Sequence, residues 1–232
     1  MAAKDSLIDR LSYLYLKKVY ADHNNSSSVN LALRTLLSRL PSGAIGLNVG
    51  AGKTQFDSRF KNLEIEPGDG IDYVGSVERI PCESESFDIV ITQEVLEHVE
   101  SPWVAVAEIH RVLKQGGRAF IQVPFVIGYH PCPGDYWRFT HEGLATLMRT
   151  QGFEIIQEEV SVGPAVGFYR ILVEFWAILF SVPYHGLYRP AKFLFSLLFY
   201  PIKLLDPLML RSKESNRISG GYFIVCQKTL NI

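Results

Sequence analysis

The sequence has little that indicates a disulfide-stabilised, metal-binding or strongly charged protein. Its 232 residues include only three cysteines, Cys82, Cys132 and Cys226, and their spacing matches no zinc motif. The 23 lysines and arginines nearly balance the 24 aspartates and glutamates, so no overall field attracts a polyanion. We therefore expect a reducing compartment, no metal centre and no nucleic-acid partner.

Long hydrophobic runs are also scarce. Within the aromatic-rich part of the chain at 168–210, the longest stretch without Asp, Glu, Lys or Arg is 175–188. This is shorter than the roughly 20 residues that a membrane-spanning helix needs. The first residues, 1–6, include a lysine and an aspartate where a signal peptide would have an apolar region, so we expect a cytoplasmic protein.

What the sequence does contain is an alternation of short apolar runs with stretches of helical periodicity. Helices are predicted at 6–20, 29–40, 102–113 and 141–151. Strands are predicted at 45–49, 63–65, 73–74, 87–92, 119–123, 153–156 and 222–225. This alternation predicts an α/β fold in which helices cover both faces of a parallel sheet.

A glycine turn follows the first predicted strand, and three chemistries compete for it. A phosphate-binding P-loop ending at Lys53 would need glycine at position 47, where the chain has Leu47. A dinucleotide fingerprint starting at Gly50 would need glycine at position 55, which is Gln55. The third possibility is a cofactor without a pyrophosphate, and it needs only the turn and one close backbone approach.

Further motifs favour that third possibility. Ser86-Phe87-Asp88 precedes the fourth predicted strand, Glu-Val-Leu-Glu-His at 94–98 follows it, and Val-Leu-Lys-Gln-Gly-Gly at 112–117 precedes the fifth. Over about 44–160 the chain resembles the small-molecule class I S-adenosylmethionine-dependent methyltransferases. The resemblance implies a Rossmann-like, doubly wound, seven-stranded methyltransferase sheet with S-adenosyl-L-methionine as cofactor.

The resemblance also implies roles for the matching positions. The glycine turn would approach the methionine part of the cofactor, Glu64 would hold the ribose, the turn at 76–77 would flank the adenine, and Gln93 would lie beside the sulfonium. The implied cofactor-binding residues are Asn48, Gly50, Ala51, Gly52, Glu64, Ser76, Val77 and Gln93. Asn48 and Ser76 depart from the family, which often has acids there, but both can still form hydrogen bonds.

The loop after the fifth strand is the candidate catalytic region. It resembles the His-x-x-x-x-Asp-Tyr-x-Arg-x-Thr segment of methyltransferases of cell-surface glycan and lipid pathways. His130 or Asp135 could remove a proton from an acceptor hydroxyl, and Arg138 could hold an anionic group. The alternative is that Asp135 and Arg138 pair and hold the loop, while Thr140 caps the next helix. For His98 a structural role is favoured over that of a base.

The predicted organisation has four parts: N-terminal helices at 1–43, a cofactor-binding core at 44–167, an apolar helical insert at 168–210, and a last strand at 211–232. Basic residues recur among the aromatics of the insert, a mixture typical of helices at a membrane interface. We expect peripheral contact with the inner face of the membrane. Packing of the insert on the core or on a second subunit, as in a homodimer, is the open alternative.

The sequence therefore predicts a methyltransferase that acts on a small-molecule, glycan or lipid-linked acceptor by direct displacement, without a metal. Two alternatives remain open. One is a catalytically silent binding or scaffold protein with the same fold, and the other is an NAD-linked oxidoreductase, which Gln55 disfavours.

Overall fold

The computed structural model describes Tyr15, Val19, 26–52 and 54–229. Nearly all of the helix predicted at 6–20, and Lys53, lie outside these residues. The chain divides into two compact units. Of the described residues, the core unit comprises 28–125, 129–160 and 222–229, and the helical unit comprises 161–221, Val126–Gly128, Tyr15, Val19, Ser26 and Ser27.

The core unit is built on the seven-stranded sheet that the sequence predicts. Its strands are β1 Gly46–Val49, β2 Phe60–Glu64, β3 Tyr73–Val74, β4 Phe87–Gln93, β5 Leu113–Pro124, β6 Phe153–Val162 and β7 Gly221–Lys228. The spatial order is β3-β2-β1-β4-β5-β7-β6, and the pairs β1–β2, β1–β4, β2–β3 and β4–β5 are parallel. The Rossmann-like α/β fold class is confirmed.

Helices cover both faces of the sheet with separate apolar clusters. The helices of this unit are α1 Ser27–Ser38, α2 Pro102–Val112 and α3 His141–Thr150. On one face, Leu33 of α1 belongs to a cluster with Ile89 and Phe120. On the other face, Ile109 of α2 and Met148 of α3 belong to a second buried cluster. Burial on both faces explains why the central strands are almost continuously apolar.

The connection between β1 and β2 is short for a pair of parallel strands. Between β1 and β2 the described residues of 50–59 form turns and loop but no helix. A connection of this length is shorter than the usual crossover between parallel strands, which generally includes a helix. The loop therefore passes directly from the carboxyl end of β1 to the start of β2.

Within its described residues 161–221, the helical unit has the α-helices α4 Pro164–Ser181, α5 Tyr188–Leu198 and α6 Asp206–Met209, together with 3₁₀ turns. Tyr169 and Val173 of α4 are fully buried. The Tyr169 hydroxyl donates to the Ser196 carbonyl oxygen at 2.9 Å. Glu174 accepts a hydrogen bond from the Tyr188 hydroxyl at 2.5 Å and pairs with Lys192. These polar contacts join α4 to α5.

The opposite side of α4 and much of α5 and α6 leave large apolar side chains exposed. The most exposed members are Phe175, Ile178, Phe180, Phe193, Leu194, Leu198 and Leu208, each at least half exposed. We call these residues the exposed apolar face. By length and composition, α4 is also the one described helix that could cross a membrane, although 39% of it is buried within the protein. From the sequence we expect no crossing, because the longest stretch without a charged residue, 175–188, is too short to span a bilayer.

Candidate active site

The glycine turn lies at the carboxyl end of β1, between β2 and β4. In such sheets ligands bind where the strand order reverses, just outside the carboxyl ends of the strands. Gly50 and Gly52 both have positive φ angles, 65° and 51°, in the left-handed region that favours glycine. A Cβ on Gly50 would lie 2.3 Å from a methyl group of Val95, whereas a Cβ on Gly52 would meet nothing within 4 Å. The space beside Gly52 is therefore open to a ligand.

Glu64 meets this turn from the end of β2. One carboxylate oxygen accepts a hydrogen bond from the Gly52 amide at 2.6 Å, and the other accepts one from the Ile65 amide at 3.1 Å. Glu64, which is predicted to hold the ribose, therefore contacts the glycine turn, which is predicted to approach the methionine part of the cofactor. Ala51, between the two glycines, is buried.

The amide group of Asn48 is used in hydrogen bonds within the protein. The residue is 4% exposed, and its amide nitrogen donates to the Thr54 carbonyl oxygen at 2.9 Å and to the Asn62 side-chain oxygen at 3.1 Å. These bonds hold the glycine turn against β2. Its predicted contact with a cofactor stays a prediction, and the structure adds a positioning contact.

The remaining predicted cofactor residues lie at the ends of β3 and β4. The Ser76 hydroxyl accepts a hydrogen bond from the Glu78 amide at 3.1 Å and caps the 3₁₀ turn Val77–Arg79, in which Val77 is buried. Gln93 is the last residue of β4, and its side-chain amide donates to Gln122 of β5 at 2.9 Å. All eight predicted residues thus lie in β1, β2 and β4 or in the loops after β1 and β3.

The residues present fit S-adenosylmethionine. The open space at Gly52 allows close approach of a ligand to the backbone, and the Glu64 carboxylate is an acceptor that ribose hydroxyls can share with the Gly52 amide. The site thus combines an exposed stretch of backbone at Gly52 with the hydrogen-bond acceptor of Glu64.

The candidate catalytic loop, 129–140, is fixed against the turn that follows β4. The Tyr136 amide donates to the Glu97 carbonyl oxygen at 2.7 Å, and the Trp137 indole donates to the Val99 carbonyl oxygen at 3.0 Å. At the far end of the loop, the Thr140 hydroxyl accepts a hydrogen bond from the Gly143 amide at 3.0 Å and caps α3. The predicted cap is confirmed.

Asp135 and Arg138 form the pair that the sequence analysis held as the alternative to catalysis. Two Arg138 nitrogens lie 2.5 and 2.7 Å from the two Asp135 oxygens, and the His130 amide donates to Asp135 at 2.9 Å. These hydrogen bonds, chiefly those from Arg138, lower the pKa of the Asp135 carboxyl to about 2. Such a weakly basic carboxylate does not suit the role of general base, and the pairing leaves structural support as its best-defined function.

His130 lies beside this pair and faces a second acid. Its Nδ1 atom is 3.4 Å from Asp135 and 3.3 Å from Arg138, while its Nε2 atom is 3.9 Å from a Glu97 carboxylate oxygen. The ring of His98 packs edge-on against the His130 ring at 5.2 Å between centroids. His98 Nδ1 lies 2.6 Å from the Gly134 carbonyl oxygen. The structural role favoured for His98 therefore has a specific contact.

Glu97 is the residue that sequence reasoning missed. Its side chain is fully buried, and neither carboxylate oxygen has a hydrogen-bond partner among the described residues. Burial, with the charge of nearby Glu94, raises the pKa of the Glu97 carboxyl above its ordinary range. Glu94 itself has a φ of 57°, an unusual backbone angle for a glutamate. The Glu-x-x-Glu-His pattern was visible in the sequence, but burial of the second acid depends on the distant loop that covers it.

Comparisons with known proteins agree with the fold. Residues 44–121 match the methyltransferase-domain family. A putative sarcosine dimethylglycine methyltransferase from Galdieria sulphuraria is 16% identical, with a TM-score of 0.53 over 87% of this chain and 84% of its own. The [4+2]-cyclase SpnF is 18% identical, with a TM-score of 0.53 over 90% of this chain and 85% of its own.

A third structure, phosphoethanolamine N-methyltransferase 2 from Haemonchus contortus in complex with S-adenosyl-L-methionine, is 14% identical, with a TM-score of 0.57. The match covers 97% of this chain and 57% of that protein. A comparison with curated protein sequences found no match.

The strand order, the glycine turn at the end of β1 and the acid at the end of β2 define a Rossmann-like protein with a nucleoside-type cofactor site. The family match then specifies the class. Over 44–121 the chain matches a methyltransferase domain, consistent with a class I S-adenosylmethionine-dependent methyltransferase, and S-adenosylmethionine is the cofactor that this domain and the site support.

Proposed function

We propose that this protein transfers the methyl group of S-adenosylmethionine to an oxygen or nitrogen of a small-molecule, glycan or lipid-linked acceptor. The observation that carries the proposal is the contact between Glu64 and the Gly52 amide beside open space at the switch point of the sheet. Bound cofactor supplies an activated methyl group, so the protein's main tasks are to align the acceptor and to exclude water.

The proposed place of the acceptor's reacting atom is the edge of the sheet beyond Gln93. There the turn after β4 and the loop 129–140 bring together Glu97, His98 and His130. Of the three residues predicted to be catalytic, we propose that His130 removes the proton from the acceptor. Asp135 and Arg138 hold the His130 main chain and ring in place.

Cofactor binding by the full chain, measured by titration calorimetry, tests the site. Gly52→Val fills the open space, and Glu64→Gln weakens the acceptor for ribose, so we expect loss of binding in the first and reduced affinity in the second. Gly152→Ala is the matched control, because Gly152 also has a positive φ, 83°, but lies at the end of α3. Gly50 is less suitable, since a side chain there collides with Val95 whether or not a ligand binds. Equal affinities in all variants would contradict the site.

The silent-scaffold alternative has its own readout. Wild-type protein that binds the cofactor but transfers no labelled methyl group to any fraction of a cell extract would favour it over an enzyme. Binding of NAD at the same site in the calorimeter would instead revive the oxidoreductase.

We further propose that the helical unit attaches the protein to the inner, cytoplasmic face of a membrane rich in anionic lipid. Two observations support this. The exposed apolar face is large for a water-exposed surface, and residues 161–221 include seven basic and three acidic residues. Arg189, Arg211 and Lys213 are exposed and available to lipid phosphates. An acceptor carried by lipid would then be at high local concentration.

Flotation with liposomes tests this attachment. We expect the full chain to float with anionic vesicles and less with neutral ones, and Phe175→Asn/Leu198→Asn to stay at the bottom of the gradient. Leu31→Asn, an equally exposed leucine on α1, is the control. A wild-type protein that never floats but sediments as a dimer, which the double variant makes monomeric, would assign the exposed apolar face to a second subunit.

A further inference from the structure

Glu97, His98 and His130 bring three potential metal-ligand atoms together in the core unit. One oxygen of Glu97 and one ring nitrogen of each histidine all lie within 4.8 Å of one another. The distances from the Glu97 oxygen are 3.5 Å to His98 Nε2 and 3.9 Å to His130 Nε2. Ligands of a tetrahedral zinc ion lie about 3.4 Å apart, because each bond is about 2.0–2.1 Å long. Small side-chain movements would therefore close the set around an ion.

The hydrogen bonding of His98 orients it as metal ligands are oriented. Its Nδ1 donates to the Gly134 carbonyl oxygen at 2.6 Å, which leaves the lone pair on Nε2, the atom that faces Glu97. Metal-binding histidines generally donate their other ring N–H to a carbonyl or carboxylate in this way, and the bond fixes both tautomer and ring direction.

The charge balance of the cluster favours a bound cation. Glu97 is fully buried, without a hydrogen-bond partner for either carboxylate oxygen among the described residues. The neighbouring positive charge of Arg138 is already matched by Asp135 in a two-bond pair. The other groups near the Glu97 oxygen are the imidazoles of His98 and His130, at 3.5 and 3.9 Å, and a buried carboxylate without a compensating charge is costly.

We propose that Glu97, His98 and His130 bind one divalent transition-metal ion, with zinc the best match. Two imidazoles and one carboxylate suit zinc, whereas magnesium and calcium prefer oxygen ligands alone. Three protein ligands leave a fourth position for water or an acceptor atom. In the ion-bound form the His130 lone pair would be used by the metal, so His130 would not take the acceptor's proton. The ion would lower the pKa of an acceptor hydroxyl in the fourth position, and the proton would pass to solvent water.

The expectation of no metal centre came from the spacing of cysteines. This set uses none of them. Its members come from the turn after β4 and from a loop more than thirty residues later, so no local spacing in the sequence indicates it.

Cobalt(II) titration of the full-length apoprotein, followed by zinc competition, tests the proposal without cofactor or acceptor. We expect one equivalent of cobalt with the visible absorption of a tetrahedral site, displaced by one equivalent of zinc. Glu97→Gln, His98→Asn and His130→Asn should each weaken binding by about 100-fold or more, since removing even a supporting partner of a ligand commonly costs 10- to 100-fold.

The matched control is His141→Asn, because His141 also lies beside an acid, Glu142, but is partly exposed and outside the cluster. Its affinity should equal that of the wild type. Should a ligand variant fail to fold, anomalous X-ray diffraction from zinc-soaked wild-type crystals gives the answer directly, as a peak between the three residues. The proposal is overturned by a wild type that binds no ion, by an ion located elsewhere, or by equal affinities in all variants. None of these results bears on cofactor binding, which the calorimetric variants test separately.

Discussion

Asn48 supports the glycine turn through hydrogen bonds on the side of β2. Its amide nitrogen donates to Thr54 and Asn62, and no carboxylate can replace those two donations. The acceptors around it, a carbonyl and an amide oxygen, require a donor at this position.

Asn48→Asp should therefore destabilise the protein although it restores the residue common in the family. A buried carboxylate would face two acceptor oxygens, and we expect the free energy of unfolding in urea to fall by about 1–3 kcal/mol. Affinity for S-adenosylmethionine should fall with it. Unchanged stability together with tighter cofactor binding would show that Asn48 contacts the ligand and does not position the loop.

Lys203 gives a pH-dependent prediction. Burial lowers the pKa of its ammonium to about 8 from an ordinary value of 10.5, and nearby Arg170 adds to the effect while Asp206 opposes it. Its ammonium donates to the Val19 carbonyl oxygen at 3.0 Å and lies over the rings of Tyr169 and Tyr200. Between pH 8 and 10.5 the unfolded chain binds more protons than the folded one, so this residue makes stability rise with pH in that window.

Lys203→Met should remove that rise. Compared with the wild type, the variant should gain stability at pH 7, with the difference shrinking as the pH passes from 8 to 10, measured by urea unfolding at each pH. The comparison between the two proteins cancels other groups, such as buried Cys226, whose pKa burial raises. A difference that stays constant with pH would contradict the account.

Sequence reasoning found the residues that lie near one another along the chain or at ends of adjacent strands. Glu64 could be placed beside the glycine turn because parallel strands end at one edge of the sheet, and the two are in contact. Glu97 could not be recognised, because its burial results from the loop at 129–140. The same loop pairs Asp135 with Arg138, a contact that the three-residue spacing suggested as one of two alternatives.

At the scale of elements, most strands and helices of the core unit follow from the apolar pattern, while their ends differ by a few residues. β5 begins at Leu113, six residues before the predicted start, because its first half contains polar residues and glycines that hide the strand pattern. The helical unit extends on both sides of 168–210, since its first helix starts at Pro164 after a strand that runs to Val162. The prolines and glycines near the start of β5 and the limits of the helical unit did not predict these positions to the residue.

Asp206 connects two of these elements. Its carboxylate accepts hydrogen bonds from the Ala165 and Val166 amides at 2.7 and 3.3 Å, at the start of α4, where backbone amides otherwise lack partners. Asp206→Ala should lower the free energy of unfolding by about 1–2 kcal/mol, and Asp206→Asn, which keeps an acceptor oxygen, by less. Equal losses in the two variants would show that charge, and not the hydrogen bonds, stabilises the helix start.

At the scale of the whole molecule, fold and chemistry must be kept apart. The [4+2]-cyclase SpnF has a similar fold, so the fold alone does not specify methyl transfer. The glycine turn, the Glu64 contact and the family match over 44–121 make that connection here. The acceptor has no such marker in the sequence, because it depends on how loops from several strands combine.

Cofactor binding should also stabilise the whole chain. A ligand that binds only the folded state adds about 2.7 kcal/mol at 100 times its dissociation constant. Thermal unfolding of the wild type and of Gly152→Ala should therefore shift upward with S-adenosylmethionine, and that of Gly52→Val should not. A shift caused equally by NAD would contradict the selectivity expected from Gln55.

The most direct test of methyl transfer uses S-adenosylmethionine labelled in its methyl group. Wild-type protein and Gly52→Val are incubated with matched lipid, glycan and small-molecule extracts, and label is counted in each fraction. We expect label in a product from the wild type and none from Gly52→Val. Equal labelling with both proteins, or cofactor binding by the wild type with no label in any fraction, would contradict it.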